Sequence, residues 1–347
     1  MGDSGMEKKP TIAIAGASRF IGKALSLHLA ADAHVIGLTC KERTNVELQN
    51  DGWPQMEWRK ADLFSLAAIE KGLEDADYAF YLIHSVASSA RLTQGKAQDM
   101  HLILADNFAR AAKKAGVKQI IYLGELIPED EQALTSHLRS QLEIEETLSA
   151  HGVPVTVLRT DIASRRVDAV KLLAACIGMD NGDSPIPVAA LDKERKRIRK
   201  KRFGNTVRSV QRLLLPTGRN AAWMGGDYAR WLSRTCKPFI RVEQVEGRMH
   251  FLLWGMKKPL LELTYSEERS TPDRVLYYIT GGMLARIDPM RSCGRLEFRE
   301  VLSGTYVIVA IHEFVPRLPW LIYNATQALI HLWVMHQYGR SLRMYDR

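Results

Sequence analysis

A chain of 347 residues is too long for one ordinary hydrophobic core and fits two domains of common size. Apolar residues make up 46% and charged residues 25%, which excludes a mainly disordered chain. Four cysteines, Cys40, Cys176, Cys236 and Cys293, stand far apart with no Cys-x-x-Cys spacing. That spacing excludes a disulfide framework and a zinc knuckle, and fits a reducing, cytoplasmic setting.

The net charge of +9 is uneven. Between Asp192 and Arg202, eight Lys and Arg face only Asp192 and Glu194, so six of the nine charges lie in one run. The run from Lys193 to Arg202 is expected as an exposed linker with a weak pull toward anionic membrane. Nucleic acid is the poorer expectation, because no aromatics interleave with the basic residues as base stacking requires. The first residues lack a basic segment followed by an apolar one, so no secretory signal is expected. Met6 stands where a myristoylation site needs Ser or Thr. The apolar stretch 314–335 is interrupted by Arg317, Asn324, Gln327 and His331, which argues against a transmembrane helix.

In chain order, the first half alternates two periodicities. Short apolar runs at 11–15, 35–38, 56–61, 78–83, 119–123 and 155–158 read as strands. Segments 21–31, 63–73, 97–115 and 135–150 carry helical spacing, the third closed by Gly116 and the fourth opened by a Thr/Ser cap. Alternation of this kind implies a parallel sheet covered by helices on both faces. Segment 165–178 also reads as a helix. From Asn205 onward strands dominate: 207–214, 240–246, 251–254, 260–267, 274–279, 295–301 and 306–314. Apolar and charged residues nearly alternate from Leu296 to Val301, as in an antiparallel strand with one wet face. Helices are expected at 221–234 and 320–338. On the last, Ile322, Ala325, Leu329, Leu332, Trp333 and His336 form one stripe and Ile330, Val334 and Tyr338 the other side. A helix this broadly apolar is either gripped by the sheet or partly offered to a partner or bilayer surface.

The first strand runs into Gly16-Ala17-Ser18-Arg19-Phe20-Ile21-Gly22. Gly16 permits a tight turn, Gly22 lets the helix pack close, and N–H groups at the helix start can receive a pyrophosphate. The segment resembles the fingerprint of atypical and extended short-chain dehydrogenases/reductases, especially the NmrA-like NAD(P)-binding group. Arg19 stands where that family writes its middle glycine. Further similar segments are Ala61-Asp62-Leu63, Tyr81-Leu82-Ile83-His84-Ser85, Asn107 to Ala112 with Gly116-Val117, Ile121 to Gly124, His137 to Ser140 and Gly152 to Arg159. The likeness covers residues 10–162. It implies a Rossmann-type doubly wound sheet, with Gly16, Ser18, Arg19, Phe20, Ile21, Gly22, Asp62, Leu63 and His84 about the cofactor and Asp62-Leu63 on the adenine side.

The second strand ends Leu38-Thr39-Cys40-Lys41-Glu42-Arg43, with no acid directly after it to hold the ribose hydroxyls. Arg19, Lys41 and Arg43 can surround a 2′-phosphate, which favours NADP(H) over NAD(H), although Glu42 weighs the other way. None of the eleven tyrosines has Lys four residues later, so the Tyr-x-x-x-Lys pair of the wider family is missing. His84 and Ser85 after the fourth strand, and His137 on the helix where that pair would stand, are the catalytic candidates. No metal-ligand spacing occurs.

The element order of the second half is similar to a helix-grip, START-like fold, which implies an apolar cavity between sheet and long helix. Trp223, Trp231, Trp254, Tyr277, Trp320 and Trp333 either line it or pack the core. The expected organisation is thus an α/β chain: a Rossmann domain over 1–165, a basic linker over 166–205, and an α+β antiparallel helix-grip-like domain over 206–347. Two functions remain open: an NADP(H)-dependent oxidoreductase acting on an apolar or lipid-like carbonyl substrate, and a non-catalytic NADP(H) sensor or ligand-binding protein.

Overall fold

A computed structural model describes residues 9–40, 56–84, 90–130, 132, 134–160, 166–179, 204–287 and 293–345. The elements in chain order are β1 (Thr11–Ala15), α1 (Phe20–Leu29), β2 (His34–Thr39), β3 (Glu57–Lys60), α2 (Leu66–Gly72), β4 (Tyr78–Tyr81), β5 (Ala90–Gln94), α3 (Ala97–Ala115), β6 (Gln119–Gly124), α4 (Ser136–Ser149), β7 (Val155–Arg159) and α5 (Arg166–Ala175). They continue with β8 (Gly204–Leu214), α6 (Ala221–Thr235), β9 (Ile240–Val245), β10 (Arg248–Leu253), β11 (Leu261–Tyr265), β12 (Arg274–Gly281), β13 (Arg295–Val301), β14 (Tyr306–Phe314), α7 (Trp320–Ala325) and α8 (Gln327–Leu342). The chain divides into two compact units, residues 1–86 with 101–200 and residues 87–100 with 201–347.

The first unit holds a sheet of order β3-β2-β1-β4-β6-β7 in which every pair is parallel. This is the doubly wound dinucleotide-binding order, reversing direction between β1 and β4. Alternate residues explain the absence of any polar face. Ile12, Ile14, Phe80, Ile121 and Leu123 pack with Leu25 and Leu29 of α1 and with Val170, Leu173 and Ala174 of α5. Tyr81 and Tyr122 take the other positions of their strands. The Tyr81 ring lies 5.1 Å from that of Phe108 on α3, and the Tyr122 hydroxyl donates to Gln141 of α4. Helix α5 begins the stretch expected as a linker; its packing on α1 carries the first unit past residue 165.

The second unit holds a sheet of order β5-β8-β14-β13-β12-β11-β10-β9. All of its pairs are antiparallel except β5 with β8, so the sheet is mixed rather than purely antiparallel. The added strand, Ala-Arg-Leu-Thr-Gln, is short and largely polar and carries no readable period. Helices α6 and α8 close over one face. Leu296, Phe298, Val307 and Val309 pack there with Met224, Tyr228 and Trp231 of α6 and with Val334, Met335 and Tyr338 of α8. The Tyr338 hydroxyl donates to Met224 O at 3.3 Å and to Asp227 Oδ2 at 3.2 Å. His331 Nε2 meets Ser209 Oγ of β8 at 3.0 Å.

Two expectations about this unit are corrected, and one point left open is decided. The single helix at 320–338 is two helices that meet at Thr326, whose φ of −127° and ψ of −83° leave the helical region. Its hydroxyl donates back to Ile322 O, a local bond that competes with the helix ladder. The gripped side is that of Val334 and Tyr338, although Ile330 on the same side is exposed, as are Ile322, Leu329 and Trp333. Either side is apolar enough; only Tyr338 finds buried acceptors for its polar end. Finally, the charged side of β13 is not wet: Glu297 is 2% and Arg299 1% exposed. Glu297 is bonded to Arg274 at 2.8 Å and to Arg299 at 2.9 Å, and this pairing is what makes burial tolerable. Alternation along a strand reports polarity, and polarity is not exposure.

Candidate functional site

At the carboxyl end of β1 the chain turns at Gly16, with φ +97° and a hydrogen bond from Arg19 N to Gly16 O at 3.0 Å. A Cβ on Gly16 would lie 2.7 Å from the Leu82 carbonyl oxygen, and one on Gly22 would lie 2.3 Å from Gly16 O. Both are contacts no side chain can make, so the turn and the helix start require glycine at these two positions. Arg19 is the N-cap of α1, its side chain makes no capping bond, and the first turn contains no acid. The helix start therefore presents its positive end without a built-in counter-charge. Ser18 and Phe20 are partly buried in this turn, Phe20 against the core. Ile21 is a core residue, so only its backbone faces the turn.

Neighbouring strands bring further groups to the same edge. After β4 stands His84, whose two ring nitrogens are buried with no hydrogen-bond partner among the described residues. Burial first, then the positive charge of Arg19 with that of His137, lowers its pKa against a smaller opposing effect of Glu125. After β6 stands Glu125, and His137 at the start of α4 meets its carboxylate at 3.0 Å. His101, on α3, completes the group. Burial, followed by the charges of His84, His137 and Arg19, brings its pKa down to about 4. Three imidazoles, one guanidinium and one carboxylate thus share one electrostatic neighbourhood at the edge where β1, β4 and β6 end.

The structure brings together Gly16, Arg19, Gly22, His84 and His137, all named from sequence. Asp62 and Leu63 follow β3 and have local tasks: Asp62 Oδ1 accepts from Phe64 N at 3.0 Å, and the Leu63 carbonyl accepts from Asn107 Nδ2 at 2.9 Å. Lys41, Arg43, Ser85 and the run Lys193 to Arg202 lie outside the described residues. His101 and Glu125 were missed. Glu125 had a readable signal, since it directly follows Gly124 at the carboxyl end of a parallel strand; His101 had none, because a helix residue distant in sequence reaches the site only through packing. Burial pushes the pKa of both edge tyrosines, Tyr81 and Tyr122, well up, and the Tyr122 hydroxyl is engaged by Gln141. Among the described residues no group of three His, Cys, Asp or Glu can hold a metal.

The second unit has a cleft of about 400 Å³ between α6 and the strands β9 to β12, lined by Ala222, Gly226, Gln244, Arg248, Tyr265 and Tyr277 among others. It is not the expected cavity along the long helix. Of the six aromatic candidates only Tyr277 lines it; Trp223 and Trp231 pack in the core, Trp254 and Trp333 are exposed, and Trp320 lies under Arg91 at 4.3 Å. On the long helix, Tyr338 packs edge-on against Tyr228 and tilted against Trp231, with ring centres 5.1 and 5.0 Å away.

Comparison with known proteins gives one relative over the whole chain. The auxiliary protein GraX of Staphylococcus aureus (strain NCTC 8325 / PS 47) is 25% identical over 338 residues, 97% of this chain and 95% of that protein. Among solved structures, triphenylmethane reductase from Citrobacter sp., complexed with NADP(H), is 21% identical over 43% of this chain and 49% of its own, with a TM-score of 0.35. An NADPH-dependent quinone oxidoreductase from Escherichia coli, complexed with NADPH, is 23% identical over 43% and 48%, with a TM-score of 0.34. The chain thus spans about half the length of these solved proteins. Residues 8–184, just over half of the chain and including the Gly16 turn and the histidine group, match the NmrA-like family, and the chain belongs to that family.

Proposed function

We propose that the first unit binds NADP(H), in preference to NAD(H), at the carboxyl edge of its parallel sheet and reduces an apolar or lipid-like carbonyl compound. The observation that carries the reading is the pair of His84 ring nitrogens, buried without a partner among the described residues, beside a turn that only glycines fit. Such a cradle suits a pyrophosphate, and Arg19, with Lys41 and Arg43, supplies positive charge suited to a 2′-phosphate. A bound reduced nicotinamide supplies hydride. His84, held neutral, would donate a hydrogen bond through its ring N–H to the carbonyl oxygen as charge develops there. His137, polarised by Glu125, is the second candidate donor, and Ser85 directly follows His84. The cleft of the second unit is the place proposed for an apolar ligand, and the cytoplasm is the proposed location. Among the described residues no helix is long and apolar enough to cross a membrane.

The absence of Tyr-x-x-x-Lys favours a second reading, a non-catalytic NADP(H) sensor or ligand-binding protein. Titration with NADPH and NADH, followed by melting temperature, tests what both readings share: NADPH raises the melting temperature more than NADH does, and Gly16→Val removes the response. If neither nucleotide acts on the unmodified chain, the reductase and the NADP(H) sensor both fail, and only a ligand-binding protein is left. His84→Ala and His137→Ala then separate them. In the reductase, the variant lacking the donor lowers turnover by about 10²–10⁴-fold with NADPH binding kept; in a sensor, neither has a turnover to lose.

A further inference from the structure

The second unit carries an exposed tip that no part of the proposed reaction uses. Strands β9 and β10 form the outer edge of its sheet and are paired from Ile240 with Leu253 to Val245 with Arg248. At the open end of this hairpin, Trp254 N donates to Phe239 O at 2.8 Å, which sets the two aromatic residues side by side. Met256 follows in a turn closed by its N–H on Leu253 O at 3.0 Å. Trp254 is 75%, Phe239 65% and Met256 43% exposed. Around them stand Arg234, Lys237, Lys257 and Lys258, all exposed. The two stretches that build the tip, residues 234–241 and 252–260, contain no Asp or Glu.

We propose that this tip docks the protein on an anionic lipid bilayer. The chemistry fits that surface at two depths. Trp, Phe and Met suit the boundary between headgroups and acyl chains, where an indole keeps its N–H wet while its rings leave water. The surrounding cations match anionic headgroups, and Arg234, Lys237, Lys257 and Lys258 lie in stretches without an acid. Solvent-exposed aromatics on the outer strands of a sheet cost solubility unless a partner surface receives them. Contact of this kind is peripheral. It is also separate from the basic run Lys193 to Arg202, which has charge but no apolar residue other than Ile198 to enter the bilayer.

The test uses the full chain and phosphatidylcholine vesicles with and without phosphatidylglycerol, prepared with brominated acyl chains that quench tryptophan fluorescence at short range. Binding and quenching are expected only with the anionic lipid. Trp254→Phe keeps the affinity within about threefold and loses most of the quenching, because the aromatic depth is conserved while the reporting indole is gone. Joint charge reversal of Lys237, Lys257 and Lys258 weakens binding by about 100-fold, with the melting temperature unchanged since all three are exposed. Four outcomes overturn the proposal, the first three being no binding to anionic vesicles, equal binding to uncharged ones, and quenching that survives Trp254→Phe. The last would place another indole, such as the exposed Trp333, in the lipid. Binding without quenching would assign the attraction to charge alone, as from the basic run, and also overturns it.

Discussion

The two sheets bury their second faces in opposite ways. In the first unit both faces of the parallel sheet are apolar or aromatic, and its central strands β1, β2, β4 and β6 are buried almost end to end. In the second unit one face packs on α6 and α8, while the other holds Arg208, Arg295, Glu297, Arg299 and His312, all buried. The first arrangement needs only apolar area. The second needs charge pairing throughout, and it fails if one partner is removed. A buried face is thus no evidence of an apolar one, and the two units should respond differently to perturbation.

The largest expected effects come from single truncations and from their rescue. Glu297→Ala leaves Arg274 and Arg299 without their shared counter-charge and should cost about 3–5 kcal/mol; Phe80→Ala in the first unit should cost a similar ~3–5 kcal/mol by leaving a cavity. Rescue separates them. Replacing Arg274, Glu297 and Arg299 together with Met, Leu and Met should recover most of the loss in the second unit, whereas no charge substitution repairs the Phe80 cavity. Denaturant midpoints measure both, and a cost under about 1 kcal/mol for Glu297→Ala breaks the contrast.

A smaller difference is expected with pH. Burial brings His331 down to about 4; burial also leads for His312, with Arg295 and Arg208 adding to it against an opposing Glu297, and it too reaches about 4. In the first unit His101 is the matching group. A histidine held neutral in the fold takes up its proton in the unfolded chain first. Stability therefore falls as pH drops from about 6.5 toward 4, at up to about 1.4 kcal/mol per pH unit for each such group. Burial raises Glu297, but Arg299, Arg274 and His312 together outweigh it and hold the carboxylate well below its usual value. Its stabilising share lasts to lower pH and is lost only as pH falls through that lowered value. With two histidines at about 4 in the second unit, against His101 at about 4 and the smaller lowering of His84 in the first, the second unit should lose protection more steeply between pH 6.5 and 4, read by hydrogen exchange resolved by segment.

The smallest effect should be the same in both units. Thr135 caps α4 by accepting from Leu138 N at 3.2 Å, and Asn220 caps α6 by accepting from Trp223 N at 2.8 Å. Thr135→Ala and Asn220→Ala should each cost ~1 kcal/mol. Unequal losses would mean that capping is not the local term taken here.

Much of the site was legible because its logic is local. Gly16 and Gly22 are six residues apart and each excludes a side chain for the sake of the other's backbone or of Leu82, so the turn can be read from one short segment. The edge position of His84 follows from strand alternation alone. His101 was hidden because its neighbours, His84 and His137, are far from it in the chain. The strand β5 was hidden for a like reason: Ala90–Gln94 is a strand because β8 pairs with it, more than a hundred residues later.

By itself the sequence determined the two kinds of architecture, the strand–turn–helix with its glycines, the caps and most element positions, since each of these depends on neighbours within a few residues. The tertiary structure decided which side of α8 is gripped, that a charged strand face is buried, that α5 joins the first unit and that three imidazoles come within electrostatic reach of one another. Those outcomes depend on which distant surfaces come together. Period and propensity describe one segment at a time, and they cannot say which of two apolar sides finds a hydrogen-bond acceptor or which charges find a counter-charge.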